Sequence, residues 1–97
     1  MTQEEAGLML AAQRALLARV PQSLIAVSVE LDFDAVRVRY IFDDSATEGD
    51  KELLSEAGTE LIGEFSESYR IEEEFLVVQE RSDMEHFSSL VFLRHDP

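Results

Sequence analysis

Apolar positions along the chain repeat at two periods, 3.6 residues and 2 residues, in an order that outlines a fold. Near the start, Met9, Ala12, Leu16 and Val20 form one stripe, widened by Ala6, Leu10 and Leu17, while Gly7, Ala11 and Arg14 face away. That spacing predicts a well-covered helix. Thr2 followed by Glu5 is a capping-box start, and Pro21 is the expected stop, because the residue before a proline is pushed out of the helical region. The period then becomes 2. Ile25, Val27, Val29 and Leu31 alternate with Ala26, Ser28 and Glu30, and Val36, Val38, Tyr40 and Phe42 alternate with Arg37, Arg39 and Ile41. Joined by the short turn Asp32-Phe33-Asp34-Ala35, the two runs predict a β-hairpin. Its outward face sets Ser28 and Glu30 against Arg37 and Arg39, where each opposite-charge pair is worth roughly 0.2–1 kcal/mol.

Helical spacing returns at Leu53, Leu54, Ala57, Gly58, Leu61, Ile62 and Phe65, which occupy one half of a helical wheel. Glu52, Glu56, Glu60 and Glu64 fill the other half, each four residues from the last. Like charges at that spacing repel by a few tenths of a kcal/mol per pair, which a solvated face tolerates. Ser45 with Glu48, or Thr47 with Asp50, supplies the cap. Gly58 on the apolar face predicts close approach to a sheet, and Gly63 is a candidate C-terminal cap. Tyr69 to Val78 reads as a strand, polar on one face at first and apolar on both faces at Phe75-Leu76-Val77-Val78. Such a strand is expected at the centre of its sheet. The polar stretch from Glu80 to His86 reads as the longest loop, and Ser88 to His95 as the last strand, with Leu90, Phe92 and Arg94 on one side and Ser89, Val91 and Leu93 on the other.

The predicted order is helix, strand, strand, helix, strand, strand. It corresponds to an α+β, two-layer single domain spanning residues 1–97. Two hairpins would give a four-stranded, mostly antiparallel sheet with both helices on one face. The opposite face, carrying Arg37, Arg39, Ile41, Leu76 and Val78, would be partly open and a candidate surface for homodimerisation.

Charge changes the picture most. The net charge is −13, and it is uneven. Residues 1–42 hold four arginines against five acids, a net of −1, whereas residues 43–97 hold four basic residues against sixteen acids, a net of −12. A field of that sign repels phosphate backbones and anionic membrane surfaces, so neither direct nucleic-acid binding nor membrane binding is expected. A basic protein partner would be attracted and steered. The candidate partner-binding residues are Glu52, Glu56, Glu60, Glu64 and Glu67 on and after the second helix, with Glu72 and Glu74 on the third strand. Their plainer reading is a solvated face.

Candidate chemistry is sparse. There is no cysteine. The two histidines, His86 and His95, make no local metal motif, and Asp32-x-Asp34 lacks the third acid, glycine and terminal glutamate of a calcium loop. No metal or cofactor is expected. The run Glu72-Glu73-Glu74 could do acid–base work only if one carboxyl were buried with a raised pKa. On a strand Glu72 and Glu74 share one face and Glu73 takes the other, where it would need a partner such as Arg70, Arg94 or a backbone donor. The acidic N-terminus, Gln3-Glu4-Glu5, is neither a secretory signal nor a transit peptide, and no apolar run approaches the ~20 residues that span a bilayer. A cytoplasmic, non-enzymatic protein is expected.

Several segments together carry a resemblance. They are Ala12-Gln13-Arg14-Ala15-Leu16-Leu17, Ala26-Val27-Ser28-Val29-Glu30, Phe42-Asp43, Asp50-Lys51-Glu52-Leu53, Glu60-Leu61-Ile62 and Leu90-Val91-Phe92-Leu93-Arg94. In this order the chain resembles short acidic bacterial proteins that accompany polymorphic toxins, including the immunity proteins of contact-dependent growth inhibition. The resemblance implies a toxin inhibitor. Joined to the negative field, it leads to the expectation of a protein that occludes a basic toxin nuclease, its acids taking the place of substrate phosphates.

Overall fold

The chain is described by a computed structural model covering residues 2–80, 82 and 84–95. Its first helix, α1 (Gln3–Ala15), starts where the side chain of Thr2 accepts a hydrogen bond from the Glu5 amide. Glu4 and Glu5 in the first turn also suit the positive end of the helix dipole. The helix ends well before Pro21. Leu16 caps it, and Ala18 adopts a left-handed conformation with φ of 63°, which a helix cannot continue through. Leu17 and Val20 therefore lie outside the helix and are exposed. The buried face is also rotated from the expected stripe: Leu8, Ala11, Ala12 and Ala15 point inward, and Leu10 points out. Three alanines on the contact face allow a close seat on the sheet, so side-chain size outweighs hydrophobicity here.

β1 (Leu24–Asp32) and β2 (Ala35–Phe42) form the expected antiparallel hairpin, pairing Glu30 with Arg37 and Ser28 with Arg39. A bulge at Ile25 lets Leu24 pair with Phe42 and Ala26 with Ile41, so Ile25 turns to the outer face rather than following Val27 inward. α2 (Glu48–Gly63) uses the Thr47–Asp50 capping box. It runs through Gly63 and ends at Glu64, and no glycine takes a left-handed conformation.

The sheet order is β3-β2-β1-β4, with β3 (Arg70–Val77) and β4 (Ser89–Leu93) at opposite edges. This corrects the central placement of β3 and the second hairpin. The sixteen-residue helix α2 returns the chain along the sheet, so the strand after it pairs parallel to β2. The chain then crosses to the far edge, where β4 pairs antiparallel with β1. A bulge in β4 sets both Val91 and Phe92 against the helix-side core instead of on opposite sides. The sheet is mixed, with two antiparallel pairs and one parallel pair.

Both helices cover one face. Leu8, Ala12, Leu54, Ala57 and Leu61 pack on Leu24, Val27, Val29, Val36, Val38, Tyr40 and Phe42. Burying each large apolar side chain contributes roughly 1.5–3 kcal/mol. On the outer face Ile41 is fully buried with Ile25 and Ala26 beneath Val78 and Met84. The chain's own return across the sheet thus covers the apolar centre of the face expected to be open. Two residues of the polar stretch 80–86, Arg81 and Asp83, lie outside the described residues.

Candidate partner-binding surface

The fold divides the seven candidate acids into two groups. The parallel register sets Glu72 beside Arg37 and Glu74 beside Arg39 on the outer face of the sheet. Arg39 bonds Glu74 at 2.8 Å and the carbonyl of Glu85 at 2.8 Å. Arg37 lies 2.5 Å from Glu30 and 3.4 Å from Glu72. Both guanidinium groups stack on the ring of Phe87, at 4.7 Å for Arg37 and 4.2 Å for Arg39, while the Phe87 amide donates to Ser28. Glu72 and Glu74 are thus neutralised inside a network that straps the segment before β4 onto the sheet.

The acids of α2 behave differently. Glu60 pairs with Arg19 at 2.8 Å and Glu64 with Arg14 at 2.5 Å, both reaching across to the α1 region. Glu52, Glu56 and Glu67 are exposed and make no ion pair among the described residues. Exposed pairs such as Arg14–Glu64 are worth 0–1 kcal/mol, so Glu64 can exchange partners cheaply.

Glu73 points inward, and its partner is neither Arg70 nor Arg94. The hydroxyl of Tyr40 donates to it at 2.8 Å. Gly58 makes room for the pair, because a Cβ there would overlap the Glu73 carboxylate and reach within 3.1 Å of the Tyr40 hydroxyl. Desolvation raises the Glu73 pKa, and the hydrogen bond from Tyr40 opposes that rise. Burial, with the neighbouring carboxylate, pushes the Tyr40 phenol up in turn. At the start of α2, hydrogen bonds from Ser45 and then Arg94 hold Asp43 down at about 2. The hydroxyl of Ser23 and the Thr47 amide lower Asp50.

Sequence reasoning missed the end of the molecule where the β1–β2 turn meets the α2–β3 connection. Phe33 lies at the turn, 94% exposed, with φ of 54°. Left-handed backbone costs a residue with a Cβ roughly 1–2 kcal/mol. The available signal was an aromatic residue in a two-residue turn that favours glycine or asparagine. Beside it is a cleft of about 250 Å³ lined by Glu4, Gly7, Leu8, Ala11, Arg14, Leu31, Glu64, Phe65 and Tyr69. A second cleft, about 270 Å³, lies between the end of α1 and β4. Neither includes Glu73, and the cavity touching Tyr40 holds only about 10 Å³.

Among the described residues no group of three or more histidine, cysteine or acidic side chains is arranged to hold a metal ion, and no helix is long and apolar enough to cross a membrane. No curated protein matches the chain. The family model of the MafI2 immunity proteins matches residues 5–96, nearly its whole length. An immunity protein implies a toxin as partner. The chain belongs to the MafI2 immunity protein family.

Proposed function

We propose that this protein is a cytoplasmic, non-enzymatic inhibitor that binds a basic toxin nuclease and blocks its substrate site. The observation that supports this most is the set of exposed, unpaired carboxylates at Glu52, Glu56 and Glu67, continued by Glu60 and Glu64, in a member of an immunity family. These acids would occupy the lysines and arginines with which a nuclease holds phosphate. Glu72 and Glu74, their side chains held and their charge balanced by Arg37 and Arg39, would contribute little to that contact.

Because the attraction is between exposed charges, salt must weaken it: the screening length is ≈ 8 Å at physiological ionic strength. The test is to immobilise the protein, apply lysate of its own organism at low salt and elute with a salt gradient. A single basic chain released by salt, whose expression alone arrests growth and whose toxicity this protein relieves, is the expected result. A toxin retained independently of salt would overturn the electrostatic mechanism. Recovery of no toxin would overturn the inhibitor reading.

A further inference from the structure

We propose that the toxin docks on the end of the molecule formed by the β1–β2 turn and the adjoining cleft, with Phe33 as its apolar anchor. This rests on the inhibitor reading above and deepens it by naming the contact surface.

Three observations meet there. Phe33 contributes nothing to the core, being 94% exposed, and it holds a large ring at a φ of 54° that glycine would adopt without strain. A costly local choice with no return in folding is the mark of a contact made to another molecule. Next, the turn adjoins a concave site. Leu31 and Tyr69, which line the cleft, flank the turn in sequence and through the hydrogen bond from the Arg70 amide to the Asp34 carbonyl at 2.8 Å. Partly buried Phe65, Tyr69 and Leu31 give the cleft an apolar wall. Finally, the rim is acidic. Glu4, Asp32 and Glu67 have no ion pair among the described residues, whereas Asp34 is paired with Arg70 at 3.9 Å. Arg14 bonds Glu64 at the cleft and would be displaced by an incoming cation.

This chemistry fits one kind of partner: a basic protein that offers an apolar pocket for an aromatic ring, bordered by lysine or arginine. Interfaces draw most of their affinity from a few such anchors, aromatic residues prominent among them, surrounded by a polar rim. Glu64 and Glu67 lie at the end of the acidic face of α2, so the steering field and the anchor are continuous.

The test uses the full chain and the growth-arresting basic protein captured as described above. Its affinity is measured for the wild type, Phe33→Gly, Phe33→Tyr and Leu10→Ser, with thermal unfolding of each. Phe33→Gly is expected to weaken binding at least 30-fold while its unfolding temperature stays level or rises. Phe33→Tyr should retain binding. Leu10→Ser, altering another exposed apolar residue on the far side of α1's buried face, should bind as the wild type does. A Phe33→Gly protein that binds its toxin with unchanged affinity overturns this docking site and leaves the inhibitor reading standing. Failure of the wild type to capture any growth-arresting chain overturns both.

Discussion

The outer sheet face and the ridge of α2 carry the same side chain, glutamate, in opposite circumstances. Glu72 and Glu74 sit within reach of Arg37 and Arg39, and those arginines also hold Phe87 and the Glu85 carbonyl. Glu52 and Glu56 stand in water with no cation assigned to them among the described residues. The first pair serves the fold. The second pair does nothing for it, and at i,i+4 spacing slightly opposes it. Acidity is therefore not one property of this chain. Part of it is consumed in holding the last strand's approach to the sheet, and part is left available to another molecule.

The most forceful way to break this contrast is to remove an arginine from the sheet face. Arg39 is the more buried of the two, and Arg39→Ala deletes two charge-assisted hydrogen bonds and a stacking contact. With hydrogen bonds to charged groups worth about 1.5–3 kcal/mol, a loss of about 2 to 3 kcal/mol in urea unfolding is expected. Tyr40→Phe should cost less, about 1 kcal/mol, by taking the donor from Glu73 while leaving the ring in place.

Neighbouring glutamates on β3 sharpen the comparison through pH. Glu73 has its pKa raised in the folded state by desolvation. Its favourable contribution is therefore full below the ordinary value of 4.5 and is lost as pH rises through the folded pKa. Glu73→Gln should remove that decline and gain on the wild type between acid and neutral pH, whereas Glu74→Gln should be destabilising at neutral pH. Asp43 has the opposite sign. Held at about 2, it stabilises above its ordinary 3.8 and loses that contribution as pH falls toward 2. Asp43→Asn should flatten the acid limb of the stability curve. The smallest effect on folding belongs to the double change Glu52→Gln with Glu56→Gln, which should leave stability unchanged or raise it by a few tenths of a kcal/mol.

Much of this was legible in the residues. All six elements, the β1–β2 hairpin, the cross-strand Glu30–Arg37 pair and the close approach at Gly58 follow from periodicity and from the chemistry of single positions. The place of β3 was not, because its apolar half, Phe75 to Val78, reads like a buried strand. Leu76 and Val77 are in fact half-exposed at an edge. The decisive cue was the helix between β2 and β3, which dictates parallel pairing, and the polar half from Arg70 to Glu74, which suits an edge. The end of α1 was hidden for another reason: Ala18, an ordinary residue, takes a left-handed conformation just past a helix that already stops at Ala15, well before Pro21, where the stop was expected. The division of the acids could not be read from spacing at all. It depends on which strand lies beside Arg37 and Arg39, and that is settled only by the sheet order.

The most direct measurement is the affinity of two charge variants for the captured toxin, each paired with its unfolding curve. One carries Glu52→Gln and Glu56→Gln, the other Glu72→Gln and Glu74→Gln. The first should bind more weakly, with a shallower dependence on salt and normal stability. The second should unfold more easily yet, while folded, bind nearly as the wild type does. If the first variant binds with wild-type affinity and salt dependence, the exposed acids of α2 do not form the docking field and the account is wrong.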